Sequence, residues 1–209
     1  MPIVNAKEML LTATAEKYAV GAFNVTNFIQ MKAVVETAIH KQSPVIIQTS
    51  VTPSKFRGPD VFAAVFKTMA REAPVPVCLH VDHCNEVDYC KACADAGYTN
   101  VMIDASHHEF AENIRQTKMV VDYCHARNIS VEGELGTVSG VEDQVVVAED
   151  EAQLCDPDLA VEFVEQTGID LLAPAIGTAH GVYKTTTPKL DFDSLATIAQ
   201  KINGNGPHT

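Results

Sequence analysis

No run of the 209 residues approaches the roughly 18 to 20 consecutive apolar positions that a membrane-spanning helix needs, so no membrane partner is expected. The opening MPIVNAKEML lacks the basic-then-apolar order of a secretory leader, and the expectation is a soluble, cytoplasmic protein. Basic charge is scarce as well. Against 27 Asp and Glu there are 15 Lys and Arg, and the resulting net charge of -12 repels phosphate backbones and anionic bilayers. Nucleic acid is therefore not an expected partner, and any phosphate recognition has to be local. A second cysteine pair is missing too: Cys90 and Cys93 have CxxC spacing, but no other pair follows at zinc-ribbon distance. With Cys78, Cys84, Cys124 and Cys155 set mostly in apolar segments, reduced core thiols are the expectation.

What is present is ample apolar material, 46% of the residues, enough for one sizeable core in a single domain over 1–209. Short apolar runs alternate with longer stretches of helical period, the pattern of βα units on a parallel sheet. Strand candidates are 18–24 (YAVGAFN), 44–50 (PVIIQTS), 75–82 (VPVCLHVD), 100–106 (NVMIDAS), 129–136 (ISVEGELG) and 170–177 (DLLAPAIG). Helical faces fall between them. Phe28, Met31, Val34, Val35, Ala38 and Ile39 form one, Phe110, Ile114, Thr117, Val121 and Cys124 another, and Phe192, Leu195, Ile198, Ala199 and Ile202 the last. Gly97 suits a helix C-cap, Asp156 an N-cap, and Pro157 a first helical position.

Polar residues gather at one end of these strands: Asn24, Ser50, Asp82 with His83, Asp104 with Ser106, Glu132 with Glu134, and His180. Six strands delivering polar groups at the same end describe a ring around one pocket. This favours an α/β fold of the TIM (βα)8 type over an open doubly wound sheet. A barrel needs eight strands, however, and only about six βα units are legible. After Ile202 the chain offers NGNGPHT, a turn without an apolar run, so two units are expected to be missing or supplied by another chain.

His83 and His180, on the third and sixth strand ends, are the best pair for a borderline divalent ion. The other histidines have plainer readings. His80 precedes its strand end and reads as a hydrogen-bonded core residue. His107 and His108 open a helix, and His40 and His125 lie late in helices as surface cations. In GTAHGVYK, Gly177, Gly181 and Lys184 could cradle a phosphate through exposed N–H groups and a point charge. VEGELGTVSGVED adds Glu132 and Glu134 on one face of a strand. Past it, Gly136 and Gly140 open a loop carrying Glu142 and Asp143, whose plain reading is a solvated acidic connection.

Taken in order, GAFNVTN, LHVDHC, VMIDAS, VEGELGTVSGVED and AIGTAHGVYK resemble the class II, metal-dependent ketose-bisphosphate aldolases, from about Lys7 to about Ile202. The resemblance implies aldol cleavage of a ketose 1,6-bisphosphate, fructose-1,6-bisphosphate first and its tagatose epimer second. It implies Zn2+ or another divalent cation, a monovalent cation, a phosphorylated sugar as partner, and a homo-oligomer. Asp82 resembles the group that exchanges a proton with the C4 oxygen, and Glu142 falls where the family's loop acid lies. His83 and His180 resemble two of three zinc histidines; Asp104 and Glu134 resemble ligands of a second or alternative metal position. Asn24, Ser50, Gly181 and Lys184, with Gly177 beside them, resemble substrate and phosphate contacts. The family's third zinc histidine and second phosphate motif are not legible here, and His208, in GNGPHT, lacks a strand to hold it. The other expectation is therefore a catalytically silent barrel remnant that binds rather than cleaves.

Overall fold

Strand and helix alternate because each apolar run is bounded by a residue that stops it. The computed structural model describes residues 2–142, 145–148, 152–181, 183 and 186–204, the side chains of 141–142, 145–146 and 203–204 excepted. After α1 (Ala6–Glu16) come β1 (Gly21–Asn24), α2 (Phe28–Lys41), β2 (Val45–Ser50), α3 (Val51–Arg57), α4 (Pro59–Ala70), β3 (Val77–Cys84) and α5 (Val87–Ala96). They are followed by β4 (Asn100–Ile103), α6 (Phe110–His125), β5 (Ser130–Leu135), a hairpin of β6 (Gly140–Glu142) with β7 (Val145–Val147), α7 (Pro157–Thr167), β8 (Leu171–Pro174) and α8 (Phe192–Gly204). The expected stops are in place. Gly97 closes α5 in the left-handed region, and Asp156 accepts the amides of Asp158 and Leu159 with Pro157 opening α7.

The six long-range strands pair in parallel in the order β1-β2-β3-β4-β5-β8. This sheet is curled. Asn24 on β1 reaches Asp82 on β3 at 2.7 Å, across the intervening β2, and the rings of His83 and His180 meet at 4.7 Å although β3 and β8 are three places apart. On a flat sheet those separations would be about 10 and 14 Å. The fold is α/β with six βα units of TIM-barrel type.

Alternation sorts the side chains. Leu79, Val81, Val101, Ile103 and Val131 face the helices and join one core with Phe62, Phe66, Tyr98 and Phe163. Cys78, His80 and Asp82 take the other, inner face of β3. At the lower end of that inner face Ala6 and Met9 of α1 pack on Ile46 and Cys78 as a plug. All six cysteines are buried and unbridged.

Several boundaries depart from expectation. β3 runs on to Cys84, so His83 lies within the strand, and β1 starts only at Gly21. The stretch after Gly136 is not simply an irregular loop, since β6 and β7 pair antiparallel there. Phe192 was expected on the apolar face of the last helix, but it is 64% exposed because it sits in the first turn, before the helix meets α7. His125 is exposed, as expected of a surface histidine, but it is tied down there. Its Nε2 donates to Asp170 Oδ2 at 2.9 Å, and Lys7 Nζ donates to Oδ1 at 2.9 Å.

Asp170 also accepts the Val131 amide at 2.9 Å, joining α1, β5 and α6 at the base of the sheet. Burial pushes its carboxyl up, but the bonds from Lys7, Val131 and His125 outweigh it and hold the group below the usual carboxylate range. A lowered folded value stabilises the native state above the unfolded value of about 3.9, and that contribution is lost as pH falls through the folded one. Replacing Asp170 by Asn should cost about 3 kcal/mol at pH 7, because a lysine, an imidazole and a backbone amide lose a buried carboxylate partner. Urea unfolding at pH 7 and pH 3 checks this: the difference between the two chains should shrink at the lower pH.

Candidate active site

Consecutive residues of a strand point to opposite faces, so Asp82 and His83 should not share a cavity. The register explains how His83 nonetheless comes to line one, while Asp82 stays on the inner face of β3. Between Val81 and Cys84, β3 spends three steps against two on β4 (Val81↔Val101, Cys84↔Ile103), a bulge with one extra residue. His83 absorbs it at φ 45, and its ring turns to the upper end of the sheet beside Asp104 and Glu134. A non-glycine residue in the left-handed region marks a position held by its surroundings.

Nδ1 of His83 lies 3.1 Å from Asp104 Oδ2 and 3.4 Å from Glu134 Oε2. Donor atoms of His83, Asp104 and Glu134 all lie within 4.8 Å of one another. Ser106 orients Asp104, donating to Oδ1 through its hydroxyl at 2.7 Å and its amide at 3.1 Å. Glu134 is placed by β5, whose carbonyl at that residue accepts from the buried Asn113 at 2.9 Å. Glu134 Oε2 has no hydrogen-bond partner among the described residues, although it is buried. One imidazole, two carboxylates and an orphaned buried oxygen fit a divalent cation, which takes such donors in this number.

The electrostatics agree. Burial pushes Glu134 up to about 8, with the neighbouring Asp104 charge adding to it. Burial works against the charged form of His83, yet the Asp104 hydrogen bond and the charges of Asp82, Glu134 and Asp104 raise it to about 9. Asp104 is lowered: burial is outweighed by its bonds from His83 and Ser106. Too many carboxylates converge for all to be ionised without positive charge among them.

Asp82 faces a different set. Oδ2 accepts from Asn24 Nδ2 at 2.7 Å, and Asn24 also donates to Ser50 Oγ at 3.3 Å. Burial would raise Asp82, but the neighbouring imidazoles of His80 and His83 and the bond from Asn24 hold it at about 2. A cavity of about 150 Å³ opens above His83, Asp104 and Glu134, lined also by Ser106, His107 and His180.

Of the residues singled out in the sequence, the structure brings together Asn24, Ser50 and Asp82 as one hydrogen-bonded group, and His83, Asp104, Glu134 and His180 as a second cluster. His180 stacks edge-on against His83, while the tight three-residue cluster is formed with the two acids. Its backbone is pinned by the hairpin: the His180 amide donates to the Ser139 carbonyl at 2.8 Å, and Gly140, at φ 120, lets that strand approach, since a Cβ there would sit 2.5 Å from the His180 carbonyl oxygen. Gly177 and Gly181 flank the same turn and are exposed. Lys184 and His208 lie outside the described residues, and Glu142 is described only by its backbone in β6. His80 is buried and hydrogen-bonded, as expected, but it also faces Asp82 at 3.7 Å. Missed in the sequence were Lys55 and Glu86, an ion pair at 2.5 Å on the cavity rim, and Asn100, whose place next to His80 only the strand register reveals.

A family model described as class-II fructose-bisphosphate aldolase matches residues 4–207. The fructose-bisphosphate aldolases of Helicobacter pylori and Giardia intestinalis are 44% and 42% identical over 203 residues, covering 96% and 95% of this chain and 66% and 62% of their own lengths. The chain thus spans just under two thirds of these curated relatives. The crystal structure of the YdjI aldolase from Escherichia coli K12 superposes with a TM-score of 0.81 at 36% identity, over 94% of this chain and 68% of that one. Because the match runs through all six strands that build the two side-chain groups, the chain belongs to the class-II fructose-bisphosphate aldolase family.

Proposed function

We propose that the site serves metal-dependent aldol cleavage, and its reversal, of a ketose 1,6-bisphosphate into dihydroxyacetone phosphate and glyceraldehyde 3-phosphate. One observation carries the reading: the bulge at His83 sets a cation cradle beside a separately held carboxylate, Asp82, so charge stabilisation and proton transfer fall to different residues. His83, Asp104 and Glu134 would hold Zn2+ or another divalent ion, with His180 at its edge. Such an ion supplies Lewis-acid stabilisation of the negative charge that develops when a C–C bond beside a ketone breaks.

The chain's own residues do the rest. Asp82, ionised and fixed by Asn24, takes the proton from the C4 hydroxyl as that carbon becomes an aldehyde, and returns it in condensation. The bond electrons pass to the ketone half as an enediolate, which is protonated to dihydroxyacetone phosphate. Glu142 is the acid assigned to that protonation. Asn24 and Ser50 contact the sugar hydroxyls, and Gly177, Gly181 and Lys184 take a phosphate, with a monovalent cation beside it. Gly181 supports this role by its positive φ of 75 and by the open space where a Cβ would stand.

The relatives' names favour the fructose epimer. Six unbridged buried thiols favour a reducing compartment such as the cytoplasm. No helix among the described residues is long and apolar enough to cross a membrane. A homo-oligomer, dimer or tetramer, belongs to the same reading.

Zinc titration in a coupled triose-phosphate assay tests it. Turnover should appear with zinc, vanish with a chelator, and return on re-addition of the metal. Tight zinc binding without turnover of either epimer would assign the chain to binding instead.

A further inference from the structure

We propose that His80 is a positioning residue for the Asp82 carboxylate, held in one tautomer by a hydrogen-bond chain that starts at the N-terminus of α1 and passes through Ser130 and Asn100. The proposal rests on Asp82 being the proton-exchanging group. His80, Asn100 and Ser130 are register partners on β3, β4 and β5, so they project from one face at one level, and all three are buried.

The direction of each bond follows from the first. Ser130 Oγ accepts the Ala6 amide at 3.0 Å, leaving the hydroxyl proton for another acceptor. Asn100 Oδ1 lies at 2.5 Å and the Thr99 carbonyl at 3.4 Å, so the proton goes to Asn100. With Oδ1 turned to Ser130, Asn100 Nδ2 faces His80 Nδ1 at 2.6 Å, and an amide nitrogen only donates. Nδ1 must then offer its lone pair, and the ring proton sits on Nε2. That nitrogen lies 3.7 Å from Asp82 Oδ1 and 3.8 Å from Glu132 Oε2, nearly midway between two carboxylates.

Asp82 is therefore flanked on both oxygens, by Asn24 at Oδ2 and by the His80 N–H at Oδ1. In this rotamer the carboxylate accepts from Asn24 on one oxygen and has the His80 N–H facing the other. Turning the imidazole to its other tautomer would aim a lone pair at the ionised Asp82 and push it out of place. A plug helix at the base of the sheet thus determines how a carboxylate stands near its top.

Three measurements decide the matter. Nitrogen-15 shifts of the imidazoles should show His80 protonated on Nε2, and Asn100→Asp, which makes the partner of Nδ1 an acceptor, should place a proton on Nδ1. A proton on Nδ1 in the unaltered chain overturns the proposal. In the cleavage assay Asn100→Asp and His80→Leu should each lower kcat about 10- to 100-fold with KM within about twofold, and His80→Gln, which keeps an N–H near the Nε2 position, should recover most of the loss. Unchanged kcat in the first two overturns it. If the unaltered chain cleaves no ketose bisphosphate, the functional reading fails separately, and a crystal structure of His80→Leu decides the role of His80. A carboxylate turned away from Asn24 supports positioning, an unmoved one overturns it, and Asn100→Asp serves the same comparison if His80→Leu does not fold.

Discussion

Replacing Asp82 by Ala should lower ketose-bisphosphate cleavage by about 10³-fold, within the range that one positioned acid/base group contributes. Zinc affinity should fall far less than turnover, because the cluster of His83, Asp104 and Glu134 does not include this carboxylate. The separation follows from the bulge: Asp82 bonds toward β1 through Asn24, while His83 turns toward β4 and β5. Asp82→Asn is the sharper variant. It keeps the size and can still meet Asn24, but it cannot accept a proton from a hydroxyl at neutral pH. Cleavage within tenfold of the unaltered chain, in either variant, would remove Asp82 from the chemistry and leave the cluster to be explained alone.

His83→Asn should weaken zinc binding at least about 100-fold, by calorimetry, and abolish turnover at micromolar metal. Asparagine is chosen because position 83 has a φ of 45, which Asn tolerates better than Ala does. The backbone bulge should survive, so loss of metal is not confused with loss of the strand. Two carboxylate oxygens around an amide are a poor exchange for an imidazole, and Glu134, with its orphaned oxygen, should be left still less satisfied. The thermal midpoint without metal should therefore fall by only a few degrees, and added zinc should no longer raise it. A variant that binds zinc as tightly as before would move the metal site elsewhere in the cavity.

Much of the fold was legible because burial imposes a period on sequence. Met31, Val35 and Ala38, or Val121 and Cys124, recur at helical spacing and do pack inward. The polar strand ends were legible too, since carboxylates and imidazoles interrupt apolar runs for which local packing supplies no reason. Less legible was anything decided by register. Asn100 opens its strand without any local mark, and becomes informative only when β4 lies between His80 and Ser130. Lys7, Asp170 and His125 carry no common mark in the sequence, yet the first two are 163 positions apart and share a part-buried bond. The β6–β7 hairpin was read as loop because its acidic, glycine-bearing stretch has no long apolar alternation to announce strands.

Composition and periodicity by themselves determined the class: a parallel α/β sheet, a helix-covered core of reduced thiols, and an acidic polar ring at the carboxyl ends of six strands. These are properties of each segment taken with its immediate neighbours, which is all that a linear pattern encodes. Only the tertiary structure decided that adjacent Asp82 and His83 meet different partners, that Glu134 Oε2 has no hydrogen-bond partner among the described residues, and that His80 lies against Asn100. Each of these depends on one extra residue in β3 and on the lateral pairing of strands, and side chains brought together by pairing carry no signature in the order in which they are joined.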